Sequence, residues 1–456
     1  MCGFTGFWSL SIADENVAQL MANRLAHRGP DDFGVWRSRD SCLVLAHRRL
    51  SIVDLSQAGH QPITSPCGRY TIVFNGEIYN HLSVRFDLTS TEPAISWRGH
   101  SDTETLLMAL VHWGLDLALK RVNGMFAVAI WDNVAKALYL ARDRLGEKPL
   151  YYGRIGSVFL FGSELKALKA HPGWSGTIDR NALAMFMRYN HVPSPHSIYV
   201  GIKKLPPAHY VVIEDYGRQI SPPKCYWSLA EVAGNGLIMS RSSDVRVETL
   251  TNELDLLLRD SVGLRMTADV PLGAFLSGGY DSTMIVAQMQ TLSSKPVKTY
   301  TIGQEDAEFD EASHAAEVAK YLGTDHLCLY VTSKDALSLI PRLPEIYDEP
   351  FADSSQIPTF FVSQLARQHV SVALSGDGGD ELFAGYNRHS VGSYTWDKIR
   401  CLPLGARRFL GGQIIPIVES GLRVFDKIHP GQCGYPNLDL KLSKLAGSLE
   451  ARDDLE

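Results

Sequence analysis

Two α/β domains in series are predicted from three observations: a length of 456 residues, a first half made of short apolar runs, and a second half of alternating strands and helices. The length exceeds what one ordinary core organises. Through about residue 210, "CLVLAHRRLSIV" (42–53), "YTIVFNGEIY" (70–79), "MFAVAIWD" (125–132), "ALYLARD" (137–143) and "SVFLFGSE" (157–164) are apolar segments closed by Gly, Asn or Asp, the pattern of strands. "TETLLMALVHWG" (103–114) has helical spacing and a glycine stop. The first domain is therefore read as 1–213, mostly β with interspersed helices.

Residues 214–246 carry Ser-Pro-Pro-Lys and Gly-Asn-Gly punctuation and are read as a linker. From 247 the rhythm changes. "VETLTNELDLLLRDSVGLRM" (247–266) is an amphipathic helix; "VPLGAFL" (270–276) is a strand, followed by a glycine loop and the helix "DSTMIVAQMQ" (281–290). "VKTYTIG", "DEASHAAEVAKYLG", "HLCLYVT" and "HVSVALS" continue the alternation, which implies a parallel, doubly wound sheet over 247–456. Beyond residue 390 the sequence is weakly helical.

Hydrophobic content of 45% and charged content of 21% are those of a globular protein. A net charge of −6 argues against a basic nucleic-acid surface. No apolar run reaches the roughly 18–20 residues of a membrane span; "FLGGQIIPIV" (409–418) is short and interrupted. The N-terminus lacks the basic and apolar regions of a secretory signal. Seven scattered cysteines without a Cys-x-x-Cys pair suit reduced thiols, so the expected location is the cytoplasm.

Cys2 directly follows the initiator methionine. Removal of Met1 would leave one residue carrying a thiol nucleophile and an α-amine, whose reference pKa of about 7.7–8.0 suits a base. Position alone does not distinguish such a nucleophile from an ordinary terminal residue.

Two glycine loops follow apolar strands. In "FLSGGYDST" (275–283), Ser277, Gly278 and Gly279 let backbone amides turn toward an anion at a helix N-terminus. Asp281 is an acid in that anion site, which a Mg²⁺ ion between carboxylate and phosphates would reconcile. The loop is not a Walker A loop, because the lysine is missing. "ALSGDGGDELFAGY" (373–386) repeats Ser-Gly and crowds Asp377, Asp380 and Glu381 among glycines. An ordinary βα turn or a solvated acidic loop would explain either alone; together they read as a nucleotide-pyrophosphate site.

With these loops the chain resembles the glutamine-hydrolysing asparagine synthetases over nearly its whole length. That family's Ser-Gly-Gly-x-Asp-Ser signature corresponds to Ser277–Ser282, with Tyr280 where Leu is commoner, and its second loop to Ser375–Glu381. "HRGPDDFG" (27–34), "LAHRRLSIVD" (45–54), "FNGEIYNH" (74–81), "SDTE" (101–104) and "ARDRLGEKPLYY" (141–152) match its glutaminase motifs in order. The resemblance implies an N-terminal Ntn-type αββα sandwich and a C-terminal adenine-nucleotide α-hydrolase-like domain. It implies Cys2 as the glutaminase nucleophile, the Asn75 side chain and Gly76 N–H as oxyanion donors, and Arg49 and Asp102, with Glu77, as clamps on the glutamine α-carboxylate and α-ammonium. Leu50, Ser51, Ile52 and Val53 complete the glutamine-binding set. ATP contacts fall on Leu276, Ser277, Gly278, Gly279, Asp281, Ser282, Ile302, Ser375 and Gly376, and the Mg²⁺ ligand candidates are Asp281 and Asp380. Asp377 stands where a longer Glu is common and is tied to aspartyl-AMP formation. "DEPFADSSQIPT" (348–359) matches the substrate-side segment.

The implied reaction amidates aspartate with glutamine and ATP, and a homodimer is left open. Sequence does not separate aspartate from another acceptor carboxylate; a ring-closing β-lactam synthetase-like activity is disfavoured by the complete glutamine motifs, and a non-catalytic regulatory fragment is a third reading. The family usually extends further, with an E-A-R-x-P-F-L-D segment that "SLEARDDLE" (448–456) echoes only in its first three residues. The expectation is a C-terminally incomplete synthetase domain with weakened or no synthetase activity of its own.

Overall fold

The strand next to Cys2 organises the first domain. Gly3–Trp8 lies between Leu43–Arg49 and Val158–Gly162 and is antiparallel to both. The computed structural model describes residues 2–10, 14–241, 246–304, 310–418, and positions 420, 442, 446 and 449. The Gly3–Trp8 sheet has six strands, in the order 202–204, 151–155, 158–162, 3–8, 43–49, 32–37; a second, also antiparallel, runs 219–220, 209–214, 137–142, 124–132, 70–78, 63–64.

Neighbouring residues on these strands pack to opposite sides. Phe4, Trp8, Leu43 and Leu45 meet Val73, Ala127, Ala129 and Trp131 of the second sheet in a shared core. Phe7, Val44 and Ala46 face the other way, against Val17, Ala18 and Met21 of helix Glu15–Asn23. Ile72 and Phe74 pack under helices His81–Thr91 and Asp102–Arg121 through Val84, Leu88, Leu106 and Leu110. The result is four layers, helix–sheet–sheet–helix. Both faces of the central strands are buried, which is why they read as near-continuous apolar runs.

The third sheet is parallel. Its strands lie in the order Asp325–Val331, Lys298–Gln304, Leu272–Phe275, Val372–Leu374, or 3-2-1-4 in chain order. Helices Tyr280–Leu292 and Ala312–Leu322 pack on one face through Val286, Met289 and Ala315, and Ala366 of helix Gln356–Arg367 packs with Tyr300 on the other. Strand order reverses between the first and fourth strands, so their C-terminal ends form the switch-point crevice where open α/β sheets bind ligands. Ser277 and Ser375 each follow one of those two ends.

One segment differs from the sequence reading. The 214–246 segment is not simply a linker: Gln219–Ile220 and Lys224–Cys225 pair with the strand His209–Glu214, and Tyr226 is buried in the first domain's core. The Gly-Asn-Gly at 234–236 lies inside the helix Leu229–Arg241, because flanking Leu, Ala, Val and Ile supply the helix formers and nothing crowds the two glycines. The glycine stop expected at 114 is present: Gly114 leaves the helical conformation (φ 74°, ψ 172°), and a second helical stretch then runs on to Arg121.

By packing, the chain divides into two compact units, 1–375 and 376–456. The second contains helices Asn387–Ile399 and Leu404–Phe409. The 448–456 segment lies outside the described residues except for Leu449. Among the described residues no helix is long and apolar enough to cross a membrane.

Candidate active site

Cys2 opens into a cleft where the ends of several strands converge. Arg49, Leu50, Ile52 and Val53 line it from the segment leaving strand Leu43–Arg49, Asn75, Gly76 and Glu77 from strand Tyr70–Ile78, and Ser101, Asp102 and Thr103 from the start of helix Asp102–Arg121. Segments 50 to 100 residues apart in sequence thus meet at one thiol. Ser51 is the one member of the expected glutamine set that does not line the cleft; its N–H donates to Asp31 Oδ2 at 2.9 Å.

The Leu50 N–H donates to Cys2 Sγ (3.4 Å), and the thiol faces the Leu50 carbonyl at 3.5 Å. Burial pushes the Cys2 thiol up, and the Leu50 amide only partly offsets it. The Arg28 guanidinium donates to the Cys2 carbonyl at 2.9 Å and pairs with Glu164, which fixes the backbone under the thiol.

Asn75 is fully buried, and among the described residues neither its Nδ2 nor its Oδ1 has a hydrogen-bond partner. Its neighbours are fully tied: Phe74 N–H donates to Gln61 Oε1 (2.7 Å), and the Phe74 carbonyl accepts from His47 Nε2 (2.9 Å). Burial lowers His47 to about 4, so the imidazole is neutral at physiological pH. Gly76 is required by strand pairing, since a Cβ there would lie 2.2 Å from the Met125 carbonyl oxygen.

Arg49 is held from behind. Its guanidinium donates to the Asp54 and Ser56 carbonyls, and a Cβ on Gly59 would come within 1.9 Å of Nη2. Asp102 Oδ2 accepts the Ile78 N–H at 2.9 Å and Oδ1 the Thr103 N–H at 2.7 Å. Burial raises the Asp102 carboxyl. Burial and the Asp102 charge push Glu77 up to about 8, against the opposing pull of Lys148 and Arg265. Two buried acids beside a fixed guanidinium suit a zwitterion carrying both an ammonium and a carboxylate.

Glu77 yields a stability prediction. Its folded value of about 8 exceeds its ordinary 4.5, so between those values the folded chain binds more protons than the unfolded one and stability falls as pH rises. Glu77→Gln is therefore expected to raise the melting temperature more above pH 8 than near pH 4.5. Equal shifts in the two thermal melts would sink this.

The parallel sheet forms a second cleft. Leu276, Ser277, Thr301 and Ile302 line it from two strand ends, with Gln304, Asp310, Pro358 and Thr359. Gly278 turns through φ 84°, and a Cβ there would strike the His314 ring at 2.8 Å. The Gly279 N–H donates to Ser277 Oγ (3.3 Å), Ser277 N–H donates to Ser282 Oγ (3.2 Å), and the two hydroxyls lie 3.0 Å apart. Gly279 caps helix Tyr280–Leu292, whose first turn carries Asp281. The buried Tyr300 hydroxyl, in the same cleft, has no partner among the described residues. In the other unit, Gly378 (φ 93°) leads into the short helix Gly379–Phe383, which carries Asp380 and Glu381, with Asp377 just before it. Among the described residues no three His, Cys, Asp or Glu side chains are grouped as a metal site; Mg²⁺ held through phosphates needs only one or two carboxylates.

A glutamine amidotransferase domain model matches residues 1–227, and an asparagine synthase model matches residues 253–450. A putative glutamine-hydrolysing asparagine synthetase 2 of Methanocaldococcus jannaschii is 36% identical over 426 residues, covering 88% of this chain and 79% of that protein. This chain belongs to the glutamine-hydrolysing asparagine synthetase family. The family's synthetase 1 of Bacillus subtilis is 34% identical over 432 residues, and a putative member of Mycobacterium bovis is 34% identical over 451; the chain spans 64% and 67% of their lengths. The four-layer domain lies within the residues that the glutamine amidotransferase model matches.

Several residues of this family member's first cleft escape sequence reasoning. Gly59, Gln61, Thr103, Met125 and Lys148 line it. Lys148 lies within a quoted motif, and a buried lysine beside acids is a signal that spacing does not carry; burial lowers its ammonium. Cys2 is one of six cysteines free among the described residues, and no other lines this cleft.

Proposed function

We propose that this chain hydrolyses glutamine at Cys2 and passes the ammonia to a carboxylate activated by ATP as its acyl-AMP. Aspartate is the acceptor and asparagine the product, with glutamate, AMP and pyrophosphate released. The observation that carries this reading is the buried Asn75 amide, without a partner among the described residues, in the cleft of Cys2, Arg49 and Asp102. Buried polar groups are nearly always paired, and a donor left open costs stability that ligand binding recovers.

With Met1 removed, the Cys2 α-amine takes the thiol proton as sulfur attacks the glutamine side-chain carbonyl. A base is needed because burial holds the thiol protonated. The carbonyl oxygen, now an oxyanion, accepts from Asn75 Nδ2 and the Gly76 N–H. Arg49 clamps the α-carboxylate with its planar fork, and Asp102 with Glu77 takes the α-ammonium. Ammonia leaves with the proton delivered by the same amine, and water then hydrolyses the thioester to glutamate. Leu50, Ile52 and Val53 wall the substrate.

Leu276 and Ile302 of the second cleft flank the adenine, while the adjoining glycine turn and the N-terminus of helix Tyr280–Leu292 favour phosphate. Ser282 braces the loop through Ser277, and the family resemblance extends the nucleotide contacts to Ser375 and Gly376. Asp281 fits a Mg²⁺ ion bound through phosphate oxygens, which would offset charge as pyrophosphate leaves; Asp380 is the second candidate ligand. Asp377 is assigned to the adenylation step by the same resemblance. Ammonia released into bulk water would be protonated and lost as a nucleophile, so the reading requires a sheltered transfer.

The test is product analysis on purified chain supplied with glutamine, Mg²⁺-ATP and a panel of acceptor acids. AMP and pyrophosphate are expected to rise in step with glutamate when aspartate is present. ADP and phosphate instead would overturn the reading of the Ser-Gly loop, and AMP formation with another acid would reassign the acceptor.

A further inference from the structure

The glutamine cleft is braced by the other half of the chain at one residue. Asp269 lies between helix Val247–Arg265 and strand Leu272–Phe275, within the parallel-sheet region. Its Oδ2 accepts the Asp54 N–H at 2.8 Å, and its own N–H donates to the Ile52 carbonyl at 2.9 Å. His100 Nε2 donates to the same carboxylate oxygen at 2.7 Å. Ile52 lines the glutamine cleft, and the Asp54 carbonyl accepts from the Arg49 guanidinium. Asp54 needs this support: it is a non-glycine residue at φ 62°, and its side chain is already committed to Ser56 and the His100 N–H.

We propose that Asp269 is a positioning residue for glutamine, latching the 50–54 loop so that Arg49 and Ile52 are set for substrate, and that the latch couples this cleft to the nucleotide cleft. The inference rests on the function proposed above. A continuous route runs by hydrogen bond from the Arg49 guanidinium to the Asp54 carbonyl and from the Asp54 N–H to Asp269, then along the chain into the start of strand Leu272–Phe275, beyond whose far end Ser277 lies. Because Asp269 makes a backbone as well as a side-chain hydrogen bond to the loop, displacement of the strand end moves the loop, and the converse holds by linkage. Hydrogen bonds from His100 and the Asp54 amide also hold the Asp269 carboxyl below its usual value, as a fixed anion would show. Arg265, four residues earlier, lies 4.2 Å from the Tyr79 ring centroid and adds a second brace beside Glu77.

The test compares wild type, Asp269→Ala and Asp269→Asn, each first shown to melt cooperatively. Asp269→Ala removes the carboxylate's hydrogen bonds to both the Asp54 N–H and His100, and is expected to raise the glutamine KM about tenfold with kcat within about twofold. Asp269→Asn, which keeps an acceptor for the Asp54 N–H, should recover most of that loss. Mg²⁺-ATP should change the glutamine KM in wild type and not in Asp269→Ala. A KM unchanged by Asp269→Ala would overturn the positioning role, and an ATP response absent in wild type or undiminished in the variant would overturn the coupling. Hydrogen exchange of a peptide spanning 50–56 reads the latch without catalysis: faster exchange in Asp269→Ala is expected, and unchanged exchange refutes the latch. A wild type with slow exchange there but no glutaminase activity would instead fault the function proposed above.

Discussion

Cys2→Ala is expected to abolish glutamine hydrolysis, a loss on the order of 10⁴-fold or more, as deletion of a covalent nucleophile gives. The same variant should keep whatever AMP and pyrophosphate formation wild type shows when ammonium salts replace glutamine, because the second cleft draws no residue from the first. The cleft makes the experiment selective. Cys42, Cys67, Cys225, Cys328 and Cys401 are free but do not line it, so no described thiol can substitute for the missing one. A glutamine-analogue electrophile should therefore label wild type once, at Cys2, and leave the variant unlabelled. The high-lying thiol adds a second requirement: retention of Met1 would displace the amine base and slow acylation even with Cys2 intact. Glutaminase activity surviving in Cys2→Ala would end the assignment.

Much of this was legible in the chain because local rules carried it. Short apolar runs, helical spacing and glycine stops place the central strands 43–49, 70–78, 124–132, 137–142 and 158–162 of the antiparallel sheets and the alternation of the parallel one. The Ser-Gly loop at 277–279 is legible as a turn at a strand's C-terminal end, where open α/β sheets bind ligands, and only its pairing with the second Ser-Gly loop separates it from an ordinary βα turn. What the sequence could not show is stacking. Gly3–Trp8 is apolar on both faces, a pattern that fits a buried strand or a greasy terminus equally, and only its pairing on both sides makes it the strand that presents Cys2. Gly59 matters because Arg49 passes against it, and Lys148 because Glu77 of a distant strand lies nearby. The Asp54–Asp269 bond joins residues 215 apart, beyond any local signal. At 214–246 local punctuation misled: prolines and glycines there mark turns between short edge strands and a helix with open space around its glycines, not an unstructured connection.

Asn75→Ala should lower the glutaminase kcat by about 10²–10³ with little change in KM, the cost of removing one preorganised oxyanion donor. The split follows from geometry. On the proposed assignment Arg49, Asp102 and Glu77 hold the α-amino-acid end and remain in place, so ground-state binding would survive, whereas the Asn75 amide would act on charge that develops only during attack. The same residue should also show the stability cost of an open donor. Its Nδ2 and Oδ1 are buried without partners among the described residues, and an unmet buried polar group costs roughly 1–3 kcal/mol. Asn75→Leu, close in shape and without the amide, is therefore expected to melt higher than wild type while turning over as poorly as Asn75→Ala. Opposite signs for activity and stability at one position are the mark of a group held open for a ligand. If Asn75→Leu melted lower and kept its turnover, Asn75 would be a packing residue, and the oxyanion would have to be stabilised by the Gly76 amide and some other donor.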